Sequence, residues 1–516
     1  MTETSARIER PGRRRGRAET GAAPSRSAAY RRLHNPFGPL RVFSDDQVEA
    51  MHRTAQRILE ELGMRVLLPE ARRIFAAAGA AVDEASQMVR LDRGLVEGAM
   101  AKAPPDVELI ARDGSRSVVL GGRRMAVVPV AGPPHVTDSD RGKRAGTLAD
   151  YQEYTKLAQT FDVIHLLGAS VEPQDIPIQF RHLDVTLTQL SLADKVPFVY
   201  ARGQGQVRDC FEMVRLGHDI SPEAFQARVH CYTVINTNSP LQLDIPMCQG
   251  LIDFAAAGQL AVVTPFTLAG AMAPVTLPGA LTQAHAEAMA GMVLCQLVRP
   301  GAPVVYGSFT SNVDMRSGAP AFGTPEYVKA SFGAGQLARR LNLPWRSSNA
   351  TASNAPDAQA AYESEMSLWG ALMGGCNLLI HGAGWLEGGL SASLEKFILD
   401  IEMLQMFAEL FQPVPFSEDE IAFEDIRQVG PGGHFFAAPH TMSRYQSAFY
   451  APLVSDWRNF GTWSEDGART ATERANRIWK RVLAEFTPPP LDPARADALS
   501  DFVARRRAEG GAPPLS

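Results

Sequence analysis

Residues 377–389 read Asn377-Leu378-Leu379-Ile380-His381-Gly382-Ala383-Gly384-Trp385-Leu386-Glu387-Gly388-Gly389. An apolar run of strand length ends in a histidine and passes into a glycine-rich loop with a tryptophan. A helix pattern follows over 392–411, where Leu394, Phe397, Ile398, Ile401, Leu404 and Phe407 share one face. Buried strand, loop and amphipathic helix together make one βα unit.

The same unit recurs towards the N-terminus. Counting from Met125, the apolar runs are Ala126–Val130, Val163–Leu167, Phe198–Ala201, Val229–Ile235, Ala261–Leu268, Val304–Phe309, Trp345–Asn349 and Asn377–His381. Helix patterns follow them at about 147–159, 178–192, 206–217, 246–257, 279–298, 324–341, 357–374 and 392–411. The runs are apolar throughout rather than alternating, as in strands covered on both faces. Eight such units in roughly 285 residues predict an α/β fold, a TIM (β/α)8 barrel over 125–411. A doubly wound open sheet is the alternative, but no glycine-rich nucleotide loop follows the first run.

The flanks are read as additions to that barrel. Residues 35–124 form an N-terminal α+β cap, with Ser44 and Gln47 in a capping-box pattern at its first helix. Helices are predicted to end at Gly63, at Gly79 and before Pro104, and a pair of strands near 107–111 and 117–120 turns at Asp113-Gly114. Residues 412–516 form a C-terminal extension with helices near 468–486 and 492–507. Residues 1–34 are expected to be a disordered basic tail, since 1–33 carry nine arginines against three glutamates.

Composition excludes several classes. The net charge of -5 gives no general basis for nucleic-acid binding, and no apolar run is long enough to span a bilayer. The five cysteines are scattered, with no C-x-x-C pair, which points to the reducing cytoplasm rather than a disulfide framework. No membrane partner is expected, and a homo-oligomer is the expected assembly.

Barrel sites lie at the carboxyl ends of the strands. That rule selects Gly132, His135, Ser170, Glu172, Arg202, Gln204, Asn236, Asn238, Thr267, Ser308, Thr310, Asn349, Thr351 and the segment His381–Glu387. The set is polar but mostly uncharged, with neither the carboxylates of a hard metal site nor a histidine cluster, so no metal is expected. Aromatic residues also gather there: Tyr200, Phe266, Tyr306, Phe309, Trp345 and Trp385. Ring faces hold quaternary ammonium ions, although aromatic side chains equally fill cores. Asp357 reads as a helix N-cap, and the spacing of His434 and His440 gives no third ligand.

Four stretches together resemble the trimethylamine methyltransferase family. They are D-A-Q-A-x-Y-E at Asp357–Glu363, H-G-A-G-W-L-E-G-G at His381–Gly389, S-L-E-K-F-I-L-D at Ser393–Asp400, and G-P-G-G-H-F at Gly430–Phe435 with His440-Thr441. The resemblance runs from Asn35 to about Gly467. It implies a TIM barrel that moves a methyl group from an amine to the cob(I)alamin of a separate corrinoid-binding protein. The archaeal trimethylamine enzymes place pyrrolysine in the site, whereas this chain holds only the twenty ordinary residues. Such members resemble glycine betaine methyltransferases. A quaternary ammonium already carries the charge that lets a neutral tertiary amine leave, so the protein need only position, desolvate and bind the cation. On this resemblance His381 is the expected catalytic residue, near the corrinoid or the substrate carboxylate. Trp385 and Tyr306 are the expected ring faces, and Asn349 and Glu387 polar positioning groups. Arg202 is expected to clamp a substrate carboxylate. A barrel with lyase or hydrolase chemistry would need a carboxylate or metal cluster at the strand ends; a non-catalytic scaffold would keep the barrel without turnover.

Overall fold

Parallel pairing of the apolar runs builds the centre of the molecule. In the computed structural model, which describes residues 30–515, six runs form ladder strands: β1 (Arg124–Val127), β2 (Tyr232–Thr237), β3 (Leu260–Ala269), β4 (Val304–Gly307), β5 (Trp345–Ser348) and β6 (Leu378–Ile380). Their order is β2-β3-β4-β5-β6-β1 and every pairing among them is parallel. The fold is mixed α/β around a curled sheet. Beyond β4 the chain continues as Phe309–Val313, parallel to the far half of β3.

Two expected strands do not form ladders. The runs Val163–Leu167 and Phe198–Ala201 contribute single parallel bridges, Leu166 with Val196 and Phe198 with Tyr232. The cause is local. Val127 N–H donates to the His165 Nδ1 at 3.0 Å instead of to a neighbouring carbonyl. Pro197 has no N–H to give.

The helices follow the spacing closely: α1 (Leu148–Thr160), α2 (Ile178–Leu192), α3 (Gln204–His218), α4 (Ile245–Ala257), α5 (Leu277–Val298), α6 (Pro325–Arg340), α7 (Ala358–Met373) and α8 (Leu394–Leu410). Their starts are fixed by side-chain caps, among them Thr147, Asp244, Thr324, Asp357 and Ser393. Asp357 accepts from the amides of Gln359 and Ala360 and is an N-cap.

Alternation along the strands sorts side chains between two cores. Ala126, Val262, Val305, Leu378 and Ile380 meet inside the curl. Val127, Val263, Tyr306, Trp345 and Leu379 join the larger core beneath the helices. The hairpin Val107–Leu109 and Val118–Leu120, expected as part of a cap, instead packs into the inner core as its floor. Ser44 does close a capping box with Gln47. Three short strands missed in the sequence (64–66, 81–83 and 88–90) form a small sheet with Gln242–Leu243.

Residues 1–29 of the expected basic tail lie outside the described residues. Leu33 and His34, assigned to that tail, pair antiparallel with Met125 and Arg124. At the other end, helix α9 (Ala471–Glu485) packs on α8, and α10 (Pro493–Ala508) packs on α2 and α3. Among the described residues, no helix is long and apolar enough to cross a membrane.

Candidate active site at the end of β6

The chain leaves β6 through His381, whose backbone is left-handed (φ 59°). A non-glycine residue in that region stores strain and marks a turn imposed by its surroundings. Here the turn brings the imidazole against Trp385, with ring centroids 3.9 Å apart, and within 5.5 Å of Phe309. Phe309 stacks on Phe322 at 5.1 Å, and Trp385 stands edge-on to both, at 6.0 and 6.4 Å. Two segments, one after β4 and one after β6, thus supply one cluster of rings. Trp385 is held by its indole N–H, which donates to the Thr351 carbonyl at 3.2 Å. Its far edge fits only because residue 389 is glycine: with φ at 102°, a Cβ there would lie 2.4 Å from Trp385 Cη2.

Burial, then the charge of Arg346, holds the His381 pKa well below the ordinary imidazole value. The ring is therefore neutral at pH 7. Its Nδ1 is buried without a hydrogen-bond partner.

Helix α8 fixes the loop from behind. Asp400 accepts from the Gly384 amide at 2.8 Å and from Asn349 Nδ2 at 3.2 Å, and forms a buried ion pair with Lys396. Lys396 also donates to Ser364 Oγ at 2.8 Å. Asn349 Nδ2 reaches the Gly382 carbonyl at 3.1 Å, so this residue ties β5 to the loop; its Oδ1 has no partner. The motif at Ser393–Asp400 is in physical terms the cap and the ion pair that hold this loop.

Three expected site residues are placed elsewhere. Tyr306 faces the helices, because alternation along β4 puts Val305 inside. Its hydroxyl lies 3.0 Å from His285 Nδ1, and His285 in turn meets His52 at 2.9 Å. Tyr306 is thus buried between β4 and the helices that cover it. Arg202 is already engaged. Its guanidinium makes two bonds to Glu172, at 2.7 and 2.9 Å, and lies 4.1 Å from the Tyr200 ring centroid. Burial opposes the charge of Arg202, but the bonds to Glu172 prevail and raise its pKa. Glu387 also has a left-handed backbone (φ 57°) and is bound to Lys143 at 2.6 and 2.7 Å and to Ser391. It braces the loop at the surface.

One residue escaped the sequence reading. Arg346 lies on β5, only 2% exposed, with its guanidinium 5.2 Å from the Phe309 ring centroid. Its Nε and Nη1 have no partner. The signal was present, since Arg346 is the one Asp, Glu, Lys or Arg within the eight apolar runs. His434 and His440 form no metal site, and no group of three or more His, Cys, Asp or Glu side chains that could hold an ion gathers among the described residues.

The ring cluster and its neutral histidine sit at the carboxyl edge of a curled parallel sheet, the edge where α/β enzymes carry their sites. Comparison with known proteins narrows the class. The family model described as Trimethylamine methyltransferase (MTTB) matches residues 10–511. The chain belongs to that family and is a methyltransferase. It is 36% identical to a glycine betaine methyltransferase of Desulfitobacterium hafniense (strain Y51), covering 91% of this chain and 98% of that one. It is 28% identical to a trimethylamine methyltransferase of D. hafniense (strain DSM 10664 / DCB-2), covering 91% and 94%. It is 30% identical to the trimethylamine methyltransferase of Methanosarcina barkeri (strain Fusaro), covering 90% and 94%.

Proposed function

We propose that the protein removes a methyl group from a quaternary amine of the glycine betaine type and delivers it to a corrinoid carried by a partner protein. The observation that carries this reading is the cluster of Phe309, Phe322, Trp385 and neutral His381 at the end of β6. A quaternary ammonium offers no hydrogen-bond donor, so ring faces are its natural receptor, each contributing about 0.5–2 kcal/mol. The 36% identity to a glycine betaine methyltransferase supports the same substrate type.

The orphaned His381 Nδ1 and the neutral rings fit an acceptor brought from outside, because none of these groups is an anionic nucleophile. When bound, the partner's cob(I)alamin supplies that nucleophile. The chain itself grips the trimethylammonium head, excludes water and holds one methyl outward, while the electron pair of the broken C–N bond stays with the departing tertiary amine. His381, with its unpartnered Nδ1, would stand at the end of the site where the methyl group leaves.

The same reading extends to the scaffold. The bridges Leu166–Val196 and Phe198–Tyr232, with the His165 amide donating to the Val127 carbonyl at 2.8 Å, support a sheet that closes as an eight-stranded barrel. The five free, buried cysteines support a reducing compartment, the cytoplasm. Segment 412–466 exposes Phe416, Phe436, Phe449, Trp457 and Phe460, which supports a homo-oligomer with its contact there.

Supplying glycine betaine with isotope-labelled methyl groups together with the partner corrinoid protein tests the reaction. Dimethylglycine should form in step with label on the corrinoid. Label transfer from trimethylamine, with none from any betaine, would overturn the substrate assignment.

A further inference from the structure

Every other strongly buried cation described above or nearby has its charge answered. Lys396 pairs with Asp400 and Arg116 with Asp162 and Asp194. Lys195 donates to the carbonyls of Ala158, Phe161 and Ile164. Arg72 pairs with Glu84 and donates to the Val66 and Leu67 carbonyls. Among the described residues, Arg346 has no carboxylate and no carbonyl acceptor, and Phe309 is its one cation–π partner. A buried guanidinium without an acceptor is costly, and a fold keeps one where something else completes it.

Position says what that is. Trp345 turns its ring towards the helices, within 3.2 Å of a Cβ built at Gly335 and 2.9 Å of one at Gly374. Arg346, the next residue on β5, therefore points into the curl. Its neighbour across the ladder is Gly307, whose lack of a side chain lets Thr264 approach from β3. A Cβ at Gly307 would strike Thr264 Oγ1 at 2.0 Å. Thr264 Oγ1 and Ser348 Oγ, the next hydroxyl on the inward side of β5, are also buried without partners. A guanidinium fork flanked by two free hydroxyls is a carboxylate receptor. Phe322, Trp385 and His381 also lie against Phe309, so an anion-binding group and a ring cluster share one ring.

We propose that Arg346 binds the carboxylate of a zwitterionic substrate, with Thr264 and Ser348 as flanking donors, and thereby selects betaines over methylated amines that lack a carboxylate. This rests on the quaternary-amine reading and sharpens it. It also assigns the role expected of Arg202, which Glu172 occupies, to a different residue. A trimethylammonium group is repelled by Arg346 and must face the rings, which presents a methyl at the end where His381 lies.

Calorimetric titration of the full chain with glycine betaine, tetramethylammonium and acetate tests the proposal without turnover. The wild type should bind glycine betaine on the order of 30- to 100-fold more tightly than tetramethylammonium. Arg346→Met should lose that margin while binding tetramethylammonium at least as tightly as the wild type, because the repulsion is removed along with the carboxylate receptor. Arg346→Lys, which keeps the charge but not the fork, should fall between them. Folding is checked by melting temperature: removing an unanswered buried charge should leave Arg346→Met as stable as the wild type or more so. Wild-type affinity for tetramethylammonium equal to that for glycine betaine, unaltered in Arg346→Met, would overturn the Arg346 assignment and leave the quaternary-amine reading standing. Acetate binding that depends on Arg346, with no binding of either quaternary ion, would overturn the quaternary-amine reading and keep the anion site. Binding of none of the three would overturn both.

Discussion

His381 holds its ring against Trp385 because its backbone is left-handed and the loop around it is pinned. The ring is not required for core packing alone, so His381→Ala should keep the fold and lower methyl transfer by about 100-fold, a typical cost for losing one positioned catalytic group. Circular dichroism and single-turnover rates check the two halves; normal turnover would remove His381 from the site. Gly389→Ala should act through Trp385. The added Cβ lies 2.4 Å from the indole, so the ring must shift, and the affinity for quaternary ions should fall by about 10-fold in titration. At this scale the sequence told part of the story. The glycine-rich loop, His381 and Trp385 stood out because a left-handed turn and a close ring contact need unusual residues at a strand end. Tyr306 and Arg202 did not show their partners, since which side a strand residue faces, and whether an arginine is already paired, depend on distant residues such as His285 and Glu172. Arg346 was visible only as a charge in an apolar run.

Helix α8 and strand β6 act as one element through Asp400, which holds Lys396, the Gly384 amide and Asn349 at once. Asp400→Ala strands a buried lysine and should lower stability by about 3–5 kcal/mol in urea unfolding. Replacing Lys396 as well, in Lys396→Met with Asp400→Leu, should recover part of that loss. A double variant no more stable than the single one would contradict the pairing. The junction between β1 and the run 163–167 has its own pH signature. Burial, then the charge of Lys195, pushes the His165 pKa down to about 3. A histidine depressed in the folded state contributes fully above the unfolded value near 6.5 and loses that contribution as pH falls towards 3. Folding should thus weaken by about 2 kcal/mol between pH 6.5 and pH 5 from this group. His165→Gln should show a smaller acid sensitivity; an unchanged slope would exclude His165 as its source. The same histidine explains a limit of the sequence reading. Helices were legible to within a few residues because caps such as Thr147 and Ser393 are local signals. The runs at 163–167 and 198–201 looked like their neighbours, and only the folded structure shows His165 and Pro197 interrupting the ladders.

The whole molecule places an uncharged ring cluster at one edge of a curled sheet and leaves an apolar surface on the segment after α8. Phe416 and Phe436 are 87% and 83% exposed there. Self-association through that segment should appear in sedimentation velocity at micromolar concentration, and Phe416→Asp with Phe436→Asp should shift it to monomer. A wild type that sediments as a monomer would contradict the oligomer. The βα repetition announced the α/β class because period and length are encoded residue by residue. The inner floor from 107–120 was not announced, since a hairpin gives no sign of the core it will enter. The central claim is that a quaternary amine gives up its methyl group to a corrinoid, and it meets its most direct test in the absorbance of a reduced cognate corrinoid protein mixed with this chain. Cob(I)alamin absorbance should decay on adding glycine betaine and hold steady on adding trimethylamine. Cob(I)alamin that persists with every betaine, beside a corrinoid protein shown to be active with another methyltransferase, would contradict the account.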